Sequence, residues 1–183
     1  MLNRVGEFEK VSYEQFYNAM TDEIYKKFAE QLSASDKKNI AEFIKDMHDN
    51  ICIPTRSTSG SAGYDFKAPF AFSLAPGATI KIPTGIRVKI DEGWWLGCLP
   101  RSGHGFKYRI QLDNTMGVVD SDYYYSDNEG HIFLKLTNDN YQKKTFIVDS
   151  GDKIAQGIFL PYGITYTDNV KTERNGGFGS TGR

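Results

Sequence analysis

Two aspartates close a short apolar run in NTMGVVDSDY, Asn114 to Tyr123. Read as a strand, that run sends Asp120 and Asp122, two positions apart, to one side of the chain. A carboxylate so placed takes a proton from a water as the water attacks an electrophile. Upstream, PRSGHG (Pro100 to Gly105) sets the Arg101 guanidinium and the Ser102 hydroxyl beside Gly103 and its backbone. Charge, hydroxyl and N–H donors together suit the oxygens of a di- or triphosphate. The last stretch, GGFGSTGR (Gly176 to Arg183), joins four glycines, two hydroxyls and an aromatic ring, and Arg174 precedes it. Glycines let N–H groups converge on an anion, and a ring covers a flat base. These glycines do not lie between a strand and a helix as in G-x-x-x-x-G-K-[ST]. The stretch is therefore expected to be a mobile arm that closes over a ligand held elsewhere. A carboxylate base beside a polyanion is repelled by it, so the pattern calls for a divalent cation together with Arg101 and Arg174.

The elements that would position these groups fall into two regimes. Residues 1–50 hold most of the helical periodicity: Ser12 and Gln15 resemble a capping box ahead of Phe16, Met20, Ile24 and Phe28. A second helix is expected from about Ser35, with Ile40, Phe43, Ile44 and Met47 as its apolar stripe. From Ile51 the pattern changes to short alternations, such as Ile86, Val88, Ile90 against Arg87, Lys89, and Ile132, Leu134, Leu136 against Phe133, Lys135, Thr137. Turn signals recur at Ala75-Pro76-Gly77, Pro83-Thr84-Gly85, Asp91-Glu92-Gly93, Asn138-Asp139-Asn140 and Ser150-Gly151-Asp152. The expectation is a helical extension over 1–50, an all-β body of jelly-roll type over 51–168, and the glycine-rich arm over 169–183.

Composition narrows the function. With 183 residues and 39% hydrophobic content, the chain supports one well-cored domain and an extension. A net charge of −1 with dispersed basic residues lacks the footprint of a nucleic-acid binder, so no stable nucleic-acid binding is expected. Two cysteines, Cys52 and Cys98, and three scattered histidines, His48, His104 and His131, offer no metal-ligand spacing and suit a reducing compartment. No stretch has signal-peptide character, and none approaches the ~18 apolar residues of a membrane span. The protein is expected to be cytoplasmic and soluble.

SAGYDF (Ser61 to Phe66), PRSGHG, NTMGVVDSDY, GDKIAQ (Gly151 to Gln156) and the terminal arm occur in that order. In sequence, order and spacing the five resemble the homotrimeric dUTP diphosphatases (dUTPases), from Pro54 onward. The resemblance implies the jelly-roll-like dUTPase fold and hydrolysis of dUTP to dUMP and pyrophosphate, limiting uracil incorporation into DNA and supplying dUMP. It implies a homotrimer with shared active sites. By that resemblance Asp120 activates the water that attacks the α-phosphorus. Arg101, Ser102, Gly103 and Gln156 contact the phosphates. Mg2+ is held mainly by those phosphates, and Asp65 orients a water on the metal. Asn114 hydrogen-bonds uracil, whose acceptor–donor–acceptor edge an amide and hairpin backbone can match. Gly117 and Phe133 belong to that base site, and Tyr123 packs flat on the deoxyribose, leaving no room for a 2′-hydroxyl. Phe178 stacks over the base when the arm closes, with Arg174, Gly179, Ser180 and Thr181 engaging base or phosphates.

Two departures stand out. Tyr123 is followed by YYSDNE before Gly130-His131-Ile132, a hairpin tip longer than the family pattern, and the spacing from Arg174 to Phe178 is shorter. Two other readings compete. The dCTP deaminases share the architecture but require a glutamate where HIFLKL places Lys135. A nucleotide-binding regulatory protein of the same fold would use the helices and YYSDNE as its partner surface.

Overall fold

A computed structural model describes residues 3–25, 33–172 and 174. The chain opens with a strand, β1 (Gly6–Lys10), which lies antiparallel on β6 (Ile86–Ile90) with Phe8 opposite Val88. The helical segment expected from position 1 therefore begins only after a strand that belongs to the β-body. Aromatic burial explains the difference: the Phe8 ring lies 5.3 to 5.8 Å from those of Tyr64, Phe66 and Phe159, enough to draw a short, charge-rich strand onto the body.

Two helices follow as an insert. In α1 (Tyr13–Met20), the Ser12 hydroxyl accepts the Gln15 N–H, as its sequence predicts, and Phe16 and Met20 are fully buried. The helix widens to a π-turn over Thr21–Tyr25, where Ile24 is half-buried; Phe28 lies outside the described residues. In α2 (Ala34–Asp49), Ser33 and Asp36 cap one another reciprocally, so the helix starts just ahead of the expected Ser35. Ile44 and Met47 face the core, whereas Phe43 remains 55% exposed. A single helical step rotates Phe43 away from the buried stripe that Ile44 occupies.

The body is made of strands in several antiparallel sheets. β2 (Thr55–Arg56), β3 (Tyr64–Lys67), β12 (Lys153–Pro161), β7 (Trp94–Pro100) and β9 (Gly117–Val119) form a five-stranded sheet in that order. β5 (Thr79–Pro83), β10 (Phe133–Asn138) and β8 (Ile110–Leu112) form a second, and β11 (Phe146–Val148) pairs with β4 (Phe72–Leu74). Alternation decides which way each strand faces: Leu134 and Leu136 are buried while Lys135 is exposed. This is the jelly-roll-like, all-β architecture expected of the body.

Phe16, Met20 and Ile44 from the helices join the same core cluster as Phe66, Ile82, Leu96, Leu134 and Leu136. Each such side chain contributes roughly 1.5–3 kcal/mol of burial, so the insert is part of the core. At Gly85, φ is +70° and an added Cβ would sit 2.1 Å from Ile51, which leaves room only for glycine beneath the helices. No helix among the described residues is long and apolar enough to cross a membrane.

Candidate active site

Asp120 follows directly on β9, and a 3-10 turn over Ser121–Tyr125 takes up the chain there. The extended backbone expected for Asp120 and Asp122 thus stops at Val119, and strand alternation does not set their relation. Their carboxylates still converge, because Arg174 bridges them: its Nη2 donates to Asp120 and its Nε donates to Asp122 Oδ1 at 2.8 Å. The same guanidinium lies 5.9 Å from the centre of the Tyr123 ring.

Around these groups is a cavity of about 380 Å³, lined by Asn114, Gly117, Asp120, Tyr123, Phe133 and Arg174 together with Cys98 and Met116. The structure thus brings together six of the residues assigned from sequence to base, sugar and water. A Cβ on Gly117 would come within 3.2 Å of Cys98 and 3.6 Å of the Asn114 amide nitrogen, so glycine keeps this wall open. Tyr123 is both a wall of the cavity and a core residue, only 6% exposed. Its hydroxyl donates to the His131 carbonyl at 2.8 Å and accepts from Asn128 Nδ2 at 2.7 Å. Phe133 stands at the start of β10, its ring 4.4 Å from that of His131.

A second group of assigned residues gathers elsewhere. Asp65 on β3 pairs with Gln156 on β12, and Gln156 Nε2 donates to the Pro100 carbonyl at 3.2 Å. Asp65 is held by Arg101 at 3.1 Å, by Lys153 at 2.7 Å and by the Ser57 hydroxyl at 2.7 Å. Burial alone would raise the Asp65 carboxyl, but hydrogen bonds from Lys153 and Ser57 and the charge of Arg101 hold it below its ordinary value. Lys153 and Gln156 are an odd number of residues apart, and a register shift between Lys153 and Ala155 brings both toward Asp65. Ser102 and Gly103 begin α3 (Ser102–Tyr108), with Arg101 as its N-cap. The first turn of a helix leaves N–H groups without intrahelical acceptors, a setting that suits oxyanions. A cavity of about 420 Å³ opens here between Lys67, Arg101, His104 and Lys153.

Lys153 was not singled out by sequence reasoning. Its only signal was a cation inside GDKIAQ, and its carboxylate partner comes from the distant SAGYDF. Phe178, Gly179, Ser180 and Thr181 lie outside the described residues. No group of three or more His, Cys, Asp or Glu side chains suited to a metal ion occurs among the described residues. The donors present, Asp65 already tied to two cations and the Asp120–Asp122 pair tied to Arg174, fit a cation that takes most of its ligands from a polyphosphate.

Asp120 and Arg101 sit at opposite ends of β7. Asp120 comes one residue after Val119, which pairs with Leu96, whereas Arg101 comes one residue after Pro100. At about 3.3 Å per residue, roughly 20 Å of strand separates their levels.

The family model described as dUTPase matches residues 49–182. This chain belongs to the dUTPase family. β1 and most of the helical insert precede the matched stretch of this dUTPase chain. It is 42% identical over 135 residues to the deoxyuridine 5′-triphosphate nucleotidohydrolase of Lactococcus lactis, covering 72% of this chain and 89% of that enzyme. To the Klebsiella pneumoniae enzyme of the same name it is 38% identical over 139 residues, covering 72% and 87% respectively. The crystal structure of dUTPase from Streptococcus mutans superposes with a TM-score of 0.55 at 33% identity, covering 62% of this chain and 88% of that one.

Proposed function

We propose that the protein hydrolyses dUTP to dUMP and pyrophosphate. The observation that carries this reading is the cavity in which Asn114, Asp120 and Tyr123 meet, within a chain of the dUTPase family. Asn114 supplies an amide for the uracil edge, Tyr123 a flat wall for the deoxyribose, and Asp120 a carboxylate at the cavity's rim. Asp120 accepts a proton from a water as the water oxygen bonds to the α-phosphorus; the bond to the bridging oxygen breaks, and pyrophosphate leaves with the electron pair. Arg174 engages one oxygen of Asp120, Oδ2, which leaves the second oxygen as a place for the proton. Moving onto the substrate's phosphates would both release Asp120 and neutralise developing charge. Arg101, Ser102, Gly103, Gln156 and Lys153 bind the β- and γ-phosphates, and Phe178 with Gly179, Ser180 and Thr181 closes over the base. Mg2+, when bound, neutralises the triphosphate, with Asp65 holding a water toward it.

The strand length between Asp120 and Arg101 far exceeds the span from an α- to a γ-phosphorus, and Arg101 is held by Asp65 at its own end of β7. This separation within one chain supports a homotrimer with sites shared between copies. Such an enzyme limits uracil incorporation into DNA and supplies dUMP, and we place it in the cytoplasm with its nucleotide substrate. A deaminase reading lacks its carboxylate: Lys135 occupies that strand position and pairs with Asp113 at 2.9 Å.

The test is pyrophosphate release with Mg2+ from dUTP, UTP, dTTP and dCTP, with a chelator control. Metal-dependent turnover of dUTP, at least about a hundredfold preferred over the other three, is expected. No turnover of any nucleotide would overturn the reading.

A further inference from the structure

The segment after Tyr123, where this chain departs from the dUTPase pattern, is fastened to β1 and the start of α1 at three points. Tyr124 donates its hydroxyl to Glu9 Oε2 at 2.8 Å, while its ring lies 4.2 Å beneath the Arg87 guanidinium that also binds Glu9. The Glu129 carboxylate spans the N-cap of α1: Oε2 accepts from the Ser12 N–H at 2.7 Å and Oε1 accepts from the Ser12 hydroxyl at 2.6 Å. The Gln15 amide faces His131 Nδ1 at 3.5 Å. In an ordinary capping box, the residue three after the N-cap would take the Ser12 N–H. Here a carboxylate 117 positions away takes it, and Gln15 is free to turn to His131.

The backbone shows what this fastening holds. Glu129 has φ +58° and Gly130 φ +69°, two left-handed residues in succession. The left-handed region is unfavourable for a side-chain-bearing residue such as Glu129 unless its surroundings fix it. At Gly130 an added Cβ would meet Tyr124 Cα at 2.7 Å. This sharp bend brings Asn128 back over Tyr123, where Nδ2 donates to the phenolic oxygen while Oδ1 accepts from the Gly130 N–H at 3.2 Å. The Tyr123 hydroxyl in turn donates a hydrogen bond to the His131 carbonyl. Two hydrogen bonds at its tip hold in place a ring that lines the nucleoside cavity.

We propose that Asn128 and Glu129 are positioning residues for sugar selection: Glu129, locked onto Ser12, holds the bend that lets Asn128 pin the Tyr123 ring against the 2′ position of the nucleotide. The inference rests on the dUTPase reading of the cavity. A ring free to tilt would yield space for a 2′-hydroxyl, so the loss should appear in discrimination between dUTP and UTP before it appears in the chemical step. The region before residue 49 thereby contributes to specificity without touching substrate.

The experiment compares kcat and KM for dUTP and UTP, and affinities for dUMP and UMP by calorimetry, in wild type, Asn128→Ala, Glu129→Ala, Glu129→Gln and the double alanine variant. The ratio of kcat/KM for dUTP over UTP is expected to fall about tenfold in each single alanine variant, mostly through KM, with the dUMP over UMP affinity ratio falling in parallel. The double variant should lose no more than either single one, because both changes release the same ring. Glu129→Gln, whose amide oxygen still accepts from Ser12, should keep the ratio within about twofold of wild type. Unchanged ratios in both alanine variants, even with a lowered unfolding temperature, would show a merely structural loop and overturn the inference alone. A wild type that neither turns over dUTP nor binds dUMP would instead overturn the dUTPase reading, and this inference with it.

Discussion

Arg174 reaches two carboxylates and a tyrosine ring at once, and it does so where the nucleotide is expected to lie. Two carboxylates side by side repel one another, and the guanidinium between them offsets that repulsion. Asp120, the base we propose, has a direct check. Asp120→Asn keeps the shape and loses the proton acceptor, so kcat should drop by about 10²- to 10⁴-fold while dUTP affinity stays within a few-fold. Turnover in ¹⁸O-labelled water should place the label in dUMP, as attack at the α-phosphorus requires; label in pyrophosphate would contradict that step. At this scale the sequence was informative wherever chemistry and spacing coincided: Asn114, Gly117, Asp120 and Tyr123 lie within ten residues and line one cavity. It was silent where partners are far apart in the chain. Glu129 looked like part of a longer hairpin tip, and Lys153 was not singled out at all, because Ser12 and Ser57 stand 117 and 96 positions from them.

Among the elements, the junction between α1 and the Tyr123 loop is built around a buried imidazole. His131 Nε2 accepts the Gly85 N–H at 2.8 Å, so that nitrogen must stay unprotonated. Burial, with a smaller push from Lys81, brings the His131 imidazole down to about 3 from its ordinary 6.5. Below 6.5 the unfolded chain takes up a proton that the folded chain refuses until about 3, so stability falls as pH falls across that window. The slope from this one group is at most about 1.4 kcal/mol per pH unit. Denaturant unfolding at pH 7.5 and 5 should show the loss, and His131→Gln, although less stable overall, should show a flatter dependence. An equal slope in both proteins would remove His131 from the account. Asp65 acts in a lower window: its depressed carboxyl contributes stability above the ordinary value of 3.8 that is lost only as pH drops through its lower folded-state value. Helices were legible here because caps and apolar stripes are local signals, and Ser12 and Met20 behave as their spacing predicts. β1 was not, since GEFEK carries one large apolar residue and its strand state depends on rings from Tyr64, Phe66 and Phe159.

For the whole molecule, the decisive geometry is β7, which leads at one end into the residues we propose bind the phosphates and pairs toward the other with the strand leading to Asp120. Motif order along the chain does not reveal this division, because five motifs in register say what the parts are and not how far apart the fold holds them. The helical insert adds core to the body, while Tyr162, Ile164, Tyr166 and Val170, which follow β12, are exposed and would offer further contacts between copies in the homotrimer we propose. If the site is shared, a chain lacking Asp120 and a chain lacking Arg101 are each inactive for a different reason, and each carries the part the other has lost. The most direct measurement is dUTP turnover after refolding Asp120→Asn and Arg101→Ala chains together in equal amounts. Recovery to as much as about a quarter of wild-type activity is predicted, the share of all sites that receive both intact parts when copies assemble at random. Mixed assemblies that form but remain as inactive as either variant alone would contradict an active site shared between chains.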